Sequence, residues 1–198
     1  MLKSRKAAVS VLSIILFSQT ALADSNSVYI MQAGDFGNAT VSQSGNNDIV
    51  EITQSGDYGI ATISQAGPNQ EAYLIQEGSN DSSEITQSGS SNQAWVTQTG
   101  DNDVSLITQS GNNDIASVTQ SGDNNFSQIL QSGNNDNAEV IQSGNYNQST
   151  ISQSGFNDTA LVTQSGNGNS STIIQEGNAN FISVSQTGNG GSISIHQN

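Results

Sequence analysis

From position 26 onward, inward-type and outward-type residues alternate within short segments that recur at every eleventh position. In one such segment, Asp114, Ala116, Val118 and Gln120 share one parity, and Ile, Ser and Thr fill the other. A period of two indicates a β-strand with one face turned inward. Residues 122–125 (Gly-Asp-Asn-Asn) follow, and Gly and Asn tolerate the positive φ of tight turns. Each 11-residue unit is therefore predicted to contain one strand and one turn.

A glutamine marks every unit, with a β-branched or leucine residue two positions before it and, in all but the last unit, a glycine two positions after it. Glycine and β-branched residues at every period argue against a helical repeat. Fixed spacing at this scale is typical of a solenoid. The predicted ladder glutamines are Gln43, Gln54, Gln65, Gln76, Gln87, Gln98, Gln109, Gln120, Gln131, Gln142, Gln153, Gln164, Gln175 and Gln186, with Gln32 and Gln197 in the same register at the two ends. The predicted turn glycines are Gly45, Gly56, Gly67, Gly78, Gly89, Gly100, Gly111, Gly122, Gly133, Gly144, Gly155, Gly166, Gly177 and Gly188.

A second, 22-residue period is visible in the small residues four positions before each glutamine. From Ala72 to Ser171 this position alternates strictly between Ala and Ser. The alternation predicts that successive units lie in two different sheets. The fold class is accordingly predicted as all-β, a β-solenoid of about eight two-strand coils. Its inward glutamines would stack from coil to coil into amide ladders like those of amyloid cross-β structures.

Residues 1–23 differ in character from the rest of the chain. Lys3, Arg5 and Lys6 precede an apolar run, Ala7–Phe17, and a small-x-small pattern ends at Ala23. This order is typical of a secretory signal peptide, and the apolar run is too short to span a bilayer. We expect cleavage between Ala23 and Asp24. Residues 1–23 would be the signal peptide and residues 24–198 the secreted repeat domain, with no membrane span after cleavage.

Composition excludes several classes of function. The chain has 17 acidic residues against three basic ones, and all three basic residues lie within the first six positions. Binding to nucleic acid needs clustered Lys and Arg, so no nucleic-acid partner is expected. Without Cys and with only His196 as a histidine, thiolate and His-rich metal sites are excluded. The acidic residues are scattered over both faces, so we expect no enzyme, no catalytic residue, no cofactor and no metal site.

The running motif Gln-x-Gly-x-x-Asn/Asp-x-Ala-x-Val/Ile-x-Gln resembles the curlin repeat, and residues 87–98 and 131–142 are good matches. Curlin subunits form curli, the extracellular amyloid fibres of bacterial biofilms. The resemblance implies a strand-turn-strand solenoid, self-assembly into a homopolymer, export by curli-type secretion machinery and a second curlin subunit acting as nucleator or polymer partner. Where the curlin consensus has Ser six positions before the Gln, this chain has Asp or Asn, as at Asp81, Asp103 and Asn125.

The strand pattern starts at Asn26 and continues to Gln197, so both ends are expected to present open strand edges. Such edges template the addition of another chain, and a head-to-tail contact that does not close gives a filament. The sequence therefore predicts a structural subunit of a secreted, curli-like cell-surface fibre.

The alternative is a monomeric secreted solenoid that binds calcium or ice. Asp-rich turns such as 100–103 resemble calcium loops but lack their nine-residue period. An outward threonine column suits ice, but Ile75, Leu130, Ile141 and Ile174 interrupt it. Trp95 and the tyrosines follow no single column, which favours surface or turn packing over a ligand platform.

Overall fold

The computed structural model describes residues 13–18 and 25–198. Over these residues the chain forms strands and no helix, so none of them belongs to a helix long and apolar enough to cross a membrane. The strands are β1 Ser13–Ser18, β2 Ser27–Ala33, β3 Asn38–Ser44, β4 Ile49–Ser55, β5 Ile60–Ala66, β6 Glu71–Glu77, β7 Ser82–Ser88, β8 Gln93–Thr99, β9 Val104–Gln109, β10 Ile115–Ser121, β11 Phe126–Gln131, β12 Asn137–Ser143, β13 Gln148–Phe156, β14 Thr159–Ser165, β15 Ser170–Asn178, β16 Phe181–Thr187 and β17 Ser192–Gln197.

The strands form two parallel sheets, and consecutive strands from β2 onward alternate between them. One sheet contains the odd-numbered strands β1, β3 and so on to β17, and the other contains the even-numbered strands β2 to β16. From β2 onward each strand pairs with the equivalent strand of the next coil, as in Ala94↔Ala116↔Ala138. The predicted all-β solenoid and its 22-residue coil are confirmed.

The core is a thin double layer between the two sheets. Along β10, Ala116, Val118 and Gln120 are buried while the residues between them are half-buried or exposed. The aliphatic column is fully buried from Ile52 to Ile173 and is only partly buried at Ile30 and Ile195. The inward parity predicted from the alternation is therefore the parity of the core. Ala lines one sheet and Ser the other through the middle coils, as the 22-residue alternation predicted.

The turns have one repeated geometry. Every eleventh residue from Phe36 to Gly190, two positions after the turn glycine, has φ between 56° and 70°. Asn occupies this left-handed position most often, for example at Asn102 and Asn124, since its short polar side chain tolerates that conformation better than most. The chain can thus reverse direction within a short turn and enter the opposite sheet.

Strand β1 lies within the predicted signal peptide. Its backbone pairs in parallel with β3, with Ser13 opposite Asn38 and Ser18 opposite Gln43. The predicted cleavage site, Ala23–Asp24, and the basic residues Lys3, Arg5 and Lys6 lie outside the described residues. The signal peptide and its removal stay predictions.

Candidate functional site

The inward glutamines form two hydrogen-bonded ladders, one in each sheet. In the even-numbered sheet, Gln98 Nε2 donates to Gln120 Oε1, and Gln120 Nε2 donates to Gln142 Oε1, both at 3.0 Å. The ladder runs unbroken from Gln32 to Gln186, and the odd-numbered one from Gln43 to Gln175. Every ladder glutamine predicted from sequence thus stacks on the equivalent glutamine of a neighbouring coil.

Each interior glutamine also ties the two sheets together. The second hydrogen of Gln120 Nε2 goes to the backbone carbonyl of Val104 at 3.0 Å, at the start of a strand in the opposite sheet. Gln131 makes the same bond to the carbonyl of Ile115 at 2.9 Å. Both amide hydrogens and the amide oxygen are therefore satisfied in a fully buried side chain. This explains why Gln, and not an aliphatic residue, occurs at this inward position.

The turn glycines stack as closely as the backbone allows. A Cβ at Gly122 would overlap the carbonyl oxygen of Gly144 in the next coil, and a Cβ at Gly100 would overlap that of Gly122. Here glycine is required by the approach of one coil to the next as well as by φ. At Gly188, in the last coil, a Cβ would meet nothing within 4 Å.

A further inward column, the corner column, lies at the start of each strand, six positions before its glutamine. Most of its members are Asp or Asn, buried at the corner between two strands, such as Asn92, Asp103, Asp114 and Asn125. One side-chain oxygen accepts a hydrogen bond from the equivalent backbone amide of the next coil, as from Asn125 N to Asp103 Oδ1 at 2.8 Å. Sequence parity placed these residues inward, but it did not indicate this third kind of ladder.

Trp95 and the tyrosines lie in two columns on the outer surface. Tyr29, Tyr73 and Trp95 lie in register on the even-numbered sheet, and the rings of Tyr73 and Trp95 stack with centroids 6.1 Å apart. Tyr58 and Tyr146 occupy the left-handed turn position instead. The sequence interpretation that these residues follow no single column is thus refined to two columns, one on the strand face and one in the turns.

The predicted threonine column divides between opposite faces. Thr97 and Thr119 lie on the even-numbered sheet, whereas Thr86 and Thr108 lie on the odd-numbered sheet. No single flat face therefore carries all the threonines considered for ice binding. Within the described residues, no group of three or more His, Cys, Asp or Glu side chains is arranged to hold a metal ion.

The two ends of the solenoid present matching edges. At one end, Gln32 Oε1 is buried and has no hydrogen-bond partner among the described residues. At the other end, Gln186 Nε2 donates to the carbonyl of Ser170 at 3.0 Å, which leaves its second hydrogen for a further acceptor. The glutamine ladder of the even-numbered sheet therefore begins with a free acceptor, Gln32 Oε1, and ends with a free donor hydrogen on Gln186 Nε2.

The terminal coils also differ from the interior in charge and bulk. The corner column holds Asn26 and Gly37 at one end and Asn180 and Gly191 at the other, and the buried aspartates of the described residues lie between them. Val28 and Ile182 are bulkier than the alanine found at the same position of β6 to β14, and Val50 occupies it in β4. At both ends of the solenoid, the inward-facing corner residues are therefore uncharged, and the inward position next to them carries an aliphatic side chain.

Comparison with known proteins agrees with this geometry. No match was found among curated proteins. A family model described as the Curlin associated repeat matches residues 23–56, 61–89, 89–122, 122–155, 147–177 and 157–188. These stretches cover most of the chain, from residue 23 to residue 188. The chain belongs to the curlin family and is a curlin-type structural subunit with a β-solenoid fold.

Proposed function

We propose that the protein is the subunit of an extracellular, amyloid-like fibre that grows by end-to-end stacking of solenoids. The observation that carries the proposal is the complementarity of the two ends. If a second copy continues the 22-residue register, its Gln32 Oε1 faces the spare hydrogen of Gln186 Nε2. Strand β16 then pairs with β2 of the second copy and β17 with β3.

The end surfaces support this junction physically. Stacking buries Ile182 against Val28 of the second copy, and it buries no carboxylate because the terminal corner residues are Asn and Gly. Unpaired strand edges with matching side chains favour the addition of identical chains. The parallel pairing of β1 with β3 is further support, since β1 occupies on Asn38–Gln43 the register that β17 of another copy would take.

Family membership supports the remaining steps of the proposal. The subunit is exported after cleavage between Ala23 and Asp24, passes through curli-type secretion machinery, and assembles with itself and with a second curlin subunit in a biofilm fibre. N-terminal sequencing of extracellular material should begin at Asp24. Residues before Asp24 in that material would contradict this processing.

The test of stacking uses the protein of residues 24–198 and one substitution at its end. Gly188→Ala adds a methyl group that meets nothing in the single solenoid but would overlap the backbone at Gly34 of a second copy. We expect the wild type to form fibres by electron microscopy, and Gly188→Ala to keep its β-sheet circular dichroism while elongating at least about tenfold more slowly, the effect of about 1.4 kcal/mol.

The matched control is Gly168→Ala. Gly168 also has positive φ, and a Cβ there meets nothing within 4 Å although coils lie on both sides. Because alanine strains the backbone at both positions, with φ of 109° at Gly188 and 66° at Gly168, each variant is compared with the wild type at a urea concentration that gives the same free energy of unfolding. Under those conditions Gly168→Ala should form fibres at a rate close to that of the wild type. Equal elongation of the two variants would contradict growth at this end, and monomeric wild type under all conditions would favour the solenoid binding module.

A further inference from the structure

The corner column contains two kinds of side chain with the same shape and different hydrogens. Where the residue is Asn, its Nδ2 donates to the carbonyl of a turn glycine in the next coil. Asn92 reaches Gly111 O at 3.0 Å, Asn125 reaches Gly144 O at 2.9 Å, and Asn147 reaches Gly166 O at 2.8 Å. Each of these Asn side chains therefore accepts from a backbone amide of the next coil and donates to a turn carbonyl of that same next coil.

Where the residue is Asp, the donor is missing. Oδ1 still accepts from the next backbone amide, as from Asp136 N to Asp114 Oδ1 at 3.1 Å. Oδ2 is buried and has no hydrogen-bond partner in the described part of the chain at all six such positions, namely Asp48, Asp81, Asp103, Asp114, Asp136 and Asp158. A buried polar atom with no partner is costly, and here it recurs in six coils.

The unpartnered oxygen lies beside a glycine carbonyl. An ideal Cβ on Gly111 would be 2.7 Å from Asp114 Oδ2 and would overlap the carbonyl oxygen of Gly133. The same holds at Gly133, whose Cβ would be 2.5 Å from Asp136 Oδ2 and would overlap Gly155 O. Two acceptor oxygens thus face one small space, the space that an Asn N–H crosses in neighbouring coils. A carboxyl hydrogen on Oδ2 is the group that fits.

The surrounding charges oppose ionisation. Asp81 and Asp103 stack in consecutive coils, and so do Asp114, Asp136 and Asp158, at a strand spacing of about 4.8 Å. Asp101 and Asp123 add negative charge near Asp81 and Asp103. Asp48 lies between the neutral Asn26 and Gln70. Gly59, the next corner residue along the chain, lies beside the amides of Gln54 and Gln76, which are also neutral. No Lys or Arg follows residue 6.

Burial is the largest cause of a raised carboxyl pKa in this column. It raises the pKa of Asp81 and of Asp114 to about 6 and that of Asp103 to about 7, against the hydrogen bonds from backbone amides, which lower it. Burial also raises the pKa of Asp48 and Asp136. These directions agree with the geometry.

We infer that five corner aspartates, Asp48, Asp81, Asp103, Asp114 and Asp136, are proton-binding sites: each takes up a proton on Oδ2 and donates it to the glycine carbonyl of the next coil, so that mild acid completes the corner ladders. Acidification should therefore stabilise the single solenoid. Only the further consequence, that acidification speeds assembly, rests on the proposed function. Because carboxyls with a raised pKa bind protons more tightly in the folded state, stability rises as pH falls from about 8 to about 5 and is lowest above about pH 7.

The test compares two variants with the same change of charge. In the first, all six corner aspartates are replaced by Asn, which supplies the missing N–H permanently. In the second, the six glutamates Glu51, Glu71, Glu77, Glu84, Glu139 and Glu176 are replaced by Gln; none of them is buried. Urea unfolding is followed at each pH between 5 and 8, with infrared spectra of the carboxyl C=O stretch.

The wild type should gain stability toward pH 5 with a slope equal to about three protons, for Asp81, Asp103 and Asp114, and should show a protonated-carboxyl band at pH 5.5 that urea abolishes. The Asn variant should lose the slope and the band, and its unfolding midpoint at pH 8 should match or exceed that of the wild type at pH 5. The Gln variant should keep both.

A wild-type slope that survives in the Asn variant, or one that disappears in the Gln variant, overturns the inference. If the sixfold Asn variant does not fold, Asp103→Asn against Glu84→Gln gives the same comparison for one proton. These readouts do not need fibres, so absence of fibres would count against the proposed function alone. Where fibres form, the lag time of the Asn variant should be independent of pH. Added salt screens surface charge, so salt at neutral pH should not shorten the lag time of the wild type as acid does.

Discussion

At the scale of single residues, the turn position with positive φ shows how backbone strain and side-chain packing contribute separately to stability. Asn and Gly adopt this left-handed conformation readily, whereas other L-residues pay about 1–2 kcal/mol. Tyr58 and Ala179 nevertheless occupy it, with φ of 61° and 56°. Tyr58 gains a stacked contact with Phe36, at 4.9 Å between ring centroids, which offsets part of the strain. Ala179 is exposed and has no such compensation.

Ala179→Gly should therefore stabilise the solenoid by about 0.5–1 kcal/mol, because glycine removes the strain at positive φ. The opposite change, Gly168→Ala, should destabilise it by a similar amount, since the added methyl group has room but φ is 66°. Urea unfolding midpoints of the two variants measure this. Shifts of the same sign would show that packing, and not φ, decides at this column.

The buried serines of the odd-numbered sheet carry another residue-scale cost. The hydroxyls of Ser83, Ser105, Ser127, Ser149 and Ser171 are buried without a hydrogen-bond partner, while Ala39 and Ala61 fill the same position in the same sheet. Ser127→Ala should raise the free energy of unfolding by about 1 kcal/mol, because an unsatisfied buried hydroxyl is removed. Ser117→Ala, on the outer face of β10, is the control and should change it by less than about 0.5 kcal/mol. A destabilised Ser127→Ala would mean that the hydroxyl has a partner in solution.

At the scale of the elements, the strands are held by side-chain ladders in addition to backbone pairing. The aliphatic columns supply burial, and the glutamine ladders supply directional bonds along the stack and across to the other sheet. Shifting a strand by one residue would place Gln and Val on the outside. The ladders therefore define the register of parallel strands that are otherwise rich in Ser and Thr.

Gln120→Ala should destabilise the solenoid by about 3–5 kcal/mol, because it leaves a buried cavity and removes partners from Gln98, Gln142 and the carbonyl of Val104. The control is Gln197→Ala in the half-buried last strand, which should cost less than about 1 kcal/mol. Chemical denaturation of both variants measures the difference. Equal losses would mean that the ladder adds nothing beyond the side chain's volume.

The sequence was sufficient for those features that repeat in residue type. The inward parity of Val118 and Gln120 and the assignment of Ala and Ser to different sheets follow from periods of 2 and 22, and the structure has both. It was insufficient where different residues share one geometry: Asn, Tyr, Phe and Ala all occupy the left-handed position. The unpartnered Oδ2 of Asp114 was also hidden, because it depends on a carbonyl in the next coil, Gly133 O.

At the scale of the whole molecule, the solenoid is a stack in which each coil contacts only its neighbours. Stability of such a stack is close to a sum of coil and interface terms. The glutamine ladder and the glycine stacking join each coil to the equivalent positions of the next coil, 22 residues away. The coil, and not the 11-residue unit, is therefore the unit that can be removed without disturbing the others.

Deleting one full coil, residues 94–115, should be tolerated, since Ala116 then takes the place of Ala94 and all columns continue. Deleting a single 11-residue unit, residues 94–104, should be much more harmful. Ser105 would enter the alanine column of the even-numbered sheet, and every later strand would change sheets, so that Asp and Asn in the corner ladders meet new partners. We expect the 22-residue deletion to keep fibre yield and lower the urea midpoint only slightly, and the 11-residue deletion to lower both. Equal yield and equal urea resistance for the two deletions would contradict the 22-residue structural repeat, even though both chains keep an intact 11-residue motif.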